Sequence, residues 1–186
     1  MKQKLQTLIA NYRAKLLATP NIQVIETKLS NEVIKFSGQQ MHNTVLEEST
    51  FKSSTLINMK FIYSNFNSSY FEKCLIENCI FNNTYFAGAE FTNCVFKNCR
   101  FVDCNLSDLE SGETIFNKCT FIKTCFNNAI FESCHFLKPI FKGVQEGPIG
   151  SAVLINSKFS NSKKLIKFEG AVYFTDIFDQ INQLYI

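Results

Sequence analysis

The chain has 186 residues, 20 of them Phe and none Trp, with eight Cys and a formal net charge of +3. Its length accommodates one domain with terminal additions. The small charge excludes a strong field for nucleic acid or acidic substrates, and no stretch reaches the ~18–20 apolar residues of a membrane span.

The first 35 residues carry six Lys/Arg against two Asp/Glu, residues 36–143 nine against ten, and the remainder four against four. The basic excess therefore precedes a nearly neutral central stretch. Residues 2–17 read as a helix, because Leu5, Leu8, Ile9, Tyr12, Leu16 and Leu17 recur at three- and four-residue steps beside Lys2, Lys4, Arg13 and Lys15. The helix suits a cap over an open end of the fold, or a membrane surface or partner; the cap is favoured, since an uncovered sheet edge invites association. The N-terminus lacks the uninterrupted apolar core of a secretory signal. Residues 22–25 and 33–36 are short apolar runs that suit strands.

From Phe36 to Phe141 every fifth residue is large and apolar (Phe36, Met41, Leu46, Phe51, Leu56, Phe61 and onward), with Ser111 the one exception. A period of five fits neither a helix nor a strand, and self-similarity at fixed spacing marks a solenoid. The residue two before each centre is nearly always small: Ser64, Ser69, Cys74, Cys79, Thr84 and Ala89 are examples. One large and one small inward position in five suits a square coil, each five forming one side and four fives closing a turn. Rotating the centres through four sides puts Leu46, Phe66 and Phe86 on a first wall and Phe51, Phe71 and Phe91 on a second. Leu56, Ile76 and Phe96 fall on a third, Phe61, Phe81 and Phe101 on a fourth. Cys74, Cys79, Cys94, Cys99, Cys104, Cys119 and Cys134 occupy the small inward position, so buried, reduced thiols are expected there. Cys125 falls at an outward position. Around Ser111 the sizes are exchanged: Leu109 stands where a small residue belongs, which suggests a bulge with Gly112 at a turn, or else a projecting acidic loop with Asp108, Glu110 and Glu113.

Beyond Phe141, residues 143–150 are rich in Gly and form a link. Residues 151–159 suit one more partial coil, residues 163–168 and 171–174 a hairpin across Glu169 and Gly170. A last helix starts after Thr175 as N-cap, with Asp176 at its positive end. Its apolar face of Ile177, Phe178, Ile181, Leu184 and Tyr185 either closes the coil or meets a second copy in a homodimer. The expected divisions are 1–35 (helix and cap segment), 36–143 (repeats) and 144–186 (partial coil and helix cap).

Units such as CVFKN, CRFVD, CTFIK, AIFES and CHFLK resemble the pentapeptide-repeat family, whose units read small-x-Phe/Leu-x-x. The resemblance covers somewhat over half of the chain. It implies an all-β solenoid, a right-handed quadrilateral β-helix, with a short helix near each terminus. The fold hosts unrelated activities, so function has to come from the surface.

No catalytic constellation is legible. His42 and His135 are far apart, and His135 points outward beside inward-pointing Cys134, so they form no dyad. There is no phosphate loop or HExxH, and the CxxxxC spacings follow from the repeat, not from ligand geometry. No enzyme, cofactor or metal site is expected. The outward positions of the third and fourth walls are the more informative. Leu75, Val95 and Ile115 precede centres of the third wall, Asn78 and Asn98 follow them, and Ile80, Val102 and Ile122 lie on the fourth. A contiguous apolar strip with a polar margin marks a partner site; β-branched residues also suit strand walls for their own sake.

These residues point to a non-catalytic scaffold binding an unidentified protein, with no nucleic acid and no membrane span. By resemblance, such a protein is bacterial and cytoplasmic, or an effector injected into a host cell. Two other uses follow from the resemblance: protection of DNA gyrase or another type II topoisomerase, as in quinolone-resistance members, and service as the β-helix domain of a larger effector enzyme. The gyrase-protecting members imitate DNA with an acidic surface, from which the near-neutral sum over residues 36–143 departs.

Overall fold

The computed structural model describes residues 25–26, 33–143, 152–161 and 164–183. Over these the chain is an all-β solenoid of about 6 turns with a short helix, Phe174–Asn182, at its C-terminal end. Five residues form each side, so residues twenty apart stack as direct neighbours. The third wall stacks Lys35–Ser37, Thr55–Ile57, Leu75–Glu77, Val95–Lys97, Ile115–Asn117, His135–Leu137 and Lys158–Ser160 in parallel register. The second wall runs likewise from Thr50–Lys52 to Val153–Ile155, and the fourth from Gln40–His42 to Ile140–Lys142. On the first wall the pairing shrinks to single bridges, Val45 to Asn65 to Tyr85 to Asn105 to Cys125. A tight turn explains this: the Ala89 and Ala129 amides donate to the Phe86 and Phe126 carbonyls at 3.0 Å. These bonds pull the chain round the corner and leave one extended residue per coil.

Large apolar side chains fill the axis. Along the fourth wall the rings of Phe61, Phe81, Phe101, Phe121 and Phe141 lie in a column at 5.4, 5.0, 5.0 and 5.1 Å between centroids. Neighbouring walls meet edge to face, as at Phe61–Phe66 (5.0 Å) and Phe81–Phe86 (5.2 Å). Offset stacks and T-shaped contacts are the arrangements an aromatic quadrupole prefers. Each such burial contributes at most about 1.5–3 kcal/mol.

The small inward position also supplies hydrogen-bond donors. Cys79 and Cys99 donate from Sγ to the Leu56 and Ile76 carbonyls at 3.3 Å, and Thr114 Oγ1 donates to the Phe91 carbonyl at 3.2 Å. A thiol here is therefore more than a small apolar group: it satisfies a buried carbonyl. Ala89 and Ala129 take this position next to the tight turn, where the backbone amide makes a bond of its own.

Among the described residues every corner of the repeats carries a residue with positive φ, and twenty of the residues with positive φ are not Gly, from Asn43 to Asn156, with φ between 47° and 55°. Such residues are uncommon, and Asn and Asp tolerate the conformation best. Backbone bonds to the next coil hold the corners: the Asn78 amide donates to the Lys97 carbonyl at 2.8 Å and that of Lys118 to Leu137 at 2.7 Å.

Ser111 sits in a regular strand, Glu110–Gly112, in register with Phe91 on one side and Phe131 on the other. The expected bulge and acidic loop are both absent from these described residues, and Gly112 does not have positive φ. The size exchange is real: Leu109 is fully buried, Ser111 is 3% exposed, and the Ser111 carbonyl accepts from Cys134 Sγ at 3.2 Å. Leu109 supplies the missing volume from the adjacent position, so the strand has no reason to deform. Ser111→Phe alone should overpack this layer and cost about 1–3 kcal/mol. Adding Leu109→Ala should recover most of that loss, and chemical denaturation of the two single variants and the double variant measures the coupling.

At the C-terminus the extra partial coil forms, as Val153–Ile155 and Lys158–Ser160. The expected hairpin does not. Leu165–Lys167 pairs antiparallel with Lys158–Ser160, and Ala171–Tyr173 pairs antiparallel with Val153–Ile155. The two last strands bond to the open edges of two walls, which offer unpaired backbone groups, instead of to each other. The helix starts one residue before Thr175, with Tyr173 at the N-cap and no side-chain capping bond. Phe174, Ile177 and Ile181 are buried, and the Phe174 ring lies 5.2 Å from Phe141 and 6.1 Å from Phe159, closing the core. The expected helix over 2–17 and the face residues Leu184 and Tyr185 lie outside the described residues; of the early strands, Ile25–Glu26 pairs with Thr44–Val45.

Candidate functional site

The twenty-residue step sorts outward side chains into rows. On the third wall Leu75, Val95 and Ile115 are direct neighbours in one row. Leu75 is 36% and Ile115 38% exposed, and Val95 between them is half-buried. Thr55 bounds the row at one end, His135 and then Lys158 at the other. Beside it the parallel row holds an ion pair, Lys97 Nζ to Glu77 Oε1 at 2.7 Å. The result is a narrow apolar strip with a charged margin.

The fourth wall is less continuous than the sequence pattern implies. Ile80 stands between Lys60 and Arg100, so it joins no apolar neighbour in its row. Val102 and Ile122 are adjacent, forming a pair separate from the third-wall strip. Asn78 and Asn98 are exposed at the corner between the two walls and form a ladder: Asn78 Nδ2 donates to Asn58 Oδ1 at 3.1 Å, and Asn98 Nδ2 to Asn78 Oδ1 at 3.0 Å. Both have φ of 54°. Their amides support the corner, which gives these residues a structural task at the margin of the strip.

His135 lies in the third wall with Nε2 2.8 Å from Ser160 Oγ. Burial and the nearby Lys158 charge hold its pKa below the ordinary value, which favours the neutral imidazole. Burial pushes the thiol of Cys104 up to about 12 and that of Cys134 up to about 11, so both are protonated and unreactive near neutrality. Cys125 is half-buried on the first wall, its Sγ 3.1 Å from Ser107 Oγ. Native labelling with a thiol reagent should modify Cys125 first, and the seven inward thiols should react on the timescale of unfolding. Fast labelling at several sites, read by peptide mass spectrometry, contradicts the inward assignment.

Charge is sorted by wall as well, which a sum along the chain conceals. Between residues 60 and 142 the second wall and its corners carry Glu72, Glu90, Asp108, Glu110, Glu113 and Glu132 against Lys73 alone, a net −5. The fourth wall and its corners carry Lys60, Arg100, Lys118, Lys123, Lys138 and Lys142 against Asp103 alone, a net +5. The two walls are opposite sides of the square. Reading the outward positions in twenties instead of in order exposes this pattern.

Among the described residues, no three His, Cys, Asp or Glu side chains are gathered as a metal site requires, and no helix is long and apolar enough to cross a membrane. A groove of about 410 Å³ beside the last helix is lined by Lys164, Leu165, Ile166, Gln180 and Gln183. It brings one amine together with amides and apolar groups.

A family profile described as the SV2A/B/C luminal domain matches residues 76–146. A search of curated proteins finds no match. Among solved structures, the chain is similar to the pentapeptide-repeat protein Rfr23 from the cyanobacterium Cyanothece 51142. Identity is 11%, with 57% of this chain and 63% of that one covered and a TM-score of 0.40. The likeness therefore spans less than two thirds of that protein. A trypsin-treated variant of QnrB1, a plasmid-mediated fluoroquinolone resistance protein, is 14% identical over 62% of this chain and 83% of that one, with a TM-score of 0.36. HetL, a pentapeptide-repeat protein involved in heterocyst differentiation regulation in Nostoc sp. PCC 7120, is 10% identical over 69% and 67%, with a TM-score of 0.29.

Proposed function

We propose that this pentapeptide-repeat β-solenoid is a rigid, non-catalytic scaffold that binds a protein partner along its third wall. The observation that carries the reading is the in-register row Leu75, Val95 and Ile115, exposed at Leu75 and Ile115 and half-buried at Val95, on a wall whose inner face is wholly used in packing. An apolar strip with a polar margin is the usual composition of an interface centre. Free, buried thiols suit a reducing compartment, such as the cytoplasm of a bacterium or of a host cell that receives the protein. Replacing Leu75, Val95 and Ile115 together by Asp should abolish capture of proteins that the unaltered chain retains from a lysate, with the circular dichroism spectrum unchanged. Equal recovery by the triple variant removes the site.

A second reading, protection of a type II topoisomerase, is favoured by the acidic second wall. Duplex DNA carries one negative charge per ~1.7 Å of axis, and the relevant comparison is with one wall, not with the whole repeat body. A gyrase supercoiling assay with a quinolone separates the two readings: relief of inhibition by the purified chain, lost on reversing Glu110 and Glu113, promotes the second.

A further inference from the structure

The opposed charges of the second and fourth walls are not needed by the fold. The coil pairs opposite charges twenty residues apart at Glu77–Lys97 (2.7 Å) and Lys52–Glu72 (3.1 Å), though not at Asp103 and Lys123. Elsewhere it does the reverse. Glu90 and Glu110 are direct neighbours in the second wall, and Lys118 and Lys138 occupy successive corners beside the fourth. Like charges directly opposite each other are unfavourable within a sheet. Among the described residues, none of Glu90, Asp108, Glu110, Glu113 and Glu132 has a cation within ion-pair distance. An isolated coil gains nothing from this arrangement.

We propose that copies of this chain associate side by side, the acidic second wall of one against the basic fourth wall of the next. The same molecule presents both faces, with −5 on one and +5 on the other. Both walls are parallel sheets built on the same coil step of about 4.8 Å, so a row of acids on one copy keeps pace with a row of cations on the other. The contact joins two different patches, so it is heterologous and repeats into rows instead of closing on itself as a twofold dimer does. A wall about 25–30 Å tall and ~10 Å wide is smaller than the ~800 Å² per partner of a standard interface. The association is therefore weak and governed by salt, since charges at this surface are screened over ~10 Å at 0.1 M. The proposal does not depend on the third-wall docking reading.

Sedimentation of the full chain at 25 mM and 500 mM NaCl tests it. Association is expected at low salt, weakened at least tenfold at high salt. K118E/K138E and E110K/E113K should each stay monomeric at both salts, with unchanged circular dichroism. Each double variant keeps one wall intact, so an equimolar mixture should form a one-to-one dimer at low salt and nothing larger. That rescue also shows that both variants are folded. A wild type that is monomeric at 25 mM salt overturns the proposal, as does a mixture that fails to associate. Association indifferent to salt and to both variants overturns it too, and points to the C-terminal helix. So does a monomeric wild type that binds phosphatidylserine vesicles or duplex DNA through Lys118 and Lys138.

Discussion

Phe101→Ala should cost about 3–5 kcal/mol of stability, the range for emptying an aromatic site in a packed core. Phe101 is fully buried, stacked at 5.0 Å on Phe81 and on Phe121 and tilted against Phe96 at 5.8 Å. The neighbours above and below are fixed by sheet bonds one coil away, so the cavity cannot collapse without shifting two strands. In a solenoid each coil contacts only its neighbours, so a break in the middle also uncouples the two halves. Urea denaturation followed by circular dichroism should show a lower midpoint, and two transitions where the wild type has one. A loss below about 1 kcal/mol contradicts the central column of rings.

Alkaline pH should destabilise the protein steeply. The thiols of Cys104 and Cys134 have ordinary values of 9.0 and are pushed up by burial to about 12 and about 11. Burial likewise raises Cys99, and the adjoining Cys99 thiol together with burial raises Cys79, whereas the adjoining Cys94 thiol lowers Cys74. The sign follows from proton counting. Below pH ~9 both folded and unfolded chains hold these protons, and stability is full. Above it the unfolded chain releases them first, so stability falls until the pH passes each folded value. Two to three pH units at one site amount to roughly 3–4 kcal/mol. Cys104→Thr should blunt the fall, because Thr84 and Thr124 fill the same position one coil away, buried and donating to the Phe61 and Phe101 carbonyls as Cys104 does to that of Phe81. Guanidinium midpoints between pH 8 and 11 measure this, and a flat profile contradicts burial of the thiols.

Much of the fold is legible in the residues. The period of five, the large and small inward columns, the sites of the seven inward Cys and the Leu109/Ser111 exchange can all be read from spacing. Other features leave a fainter trace. Tyr63, Lys73 and Glu113 have no preference for positive φ, yet all three adopt it, because bonds to the next coil outweigh local preference. The last two strands pair with wall edges that do not exist until the coil is built, so short-range reasoning joins them to each other. The surface is harder still. Leu75, Val95 and Ile115 stand in one row of the third wall, whereas Ile80 is isolated by Lys60 and Arg100, and Asn78 and Asn98 are engaged in a corner ladder. The opposed charges of two walls vanish in any sum along the chain, since one cancels the other.

Each of these surface readings depends on residues twenty apart being neighbours in a row. Engineered cysteines in a Cys125→Ser background test that directly. Val95 and Ile115 are paired in register, and a stack spacing of about 4.8 Å lies within the Cα separation that a disulfide spans. V95C/I115C should therefore oxidise within one chain to a species that migrates faster on a non-reducing gel. V95C/N105C, with the second cysteine on the opposite wall and the core between them, should not. Cross-linking of V95C/N105C in preference to V95C/I115C contradicts the four-walled coil and the rows built on it.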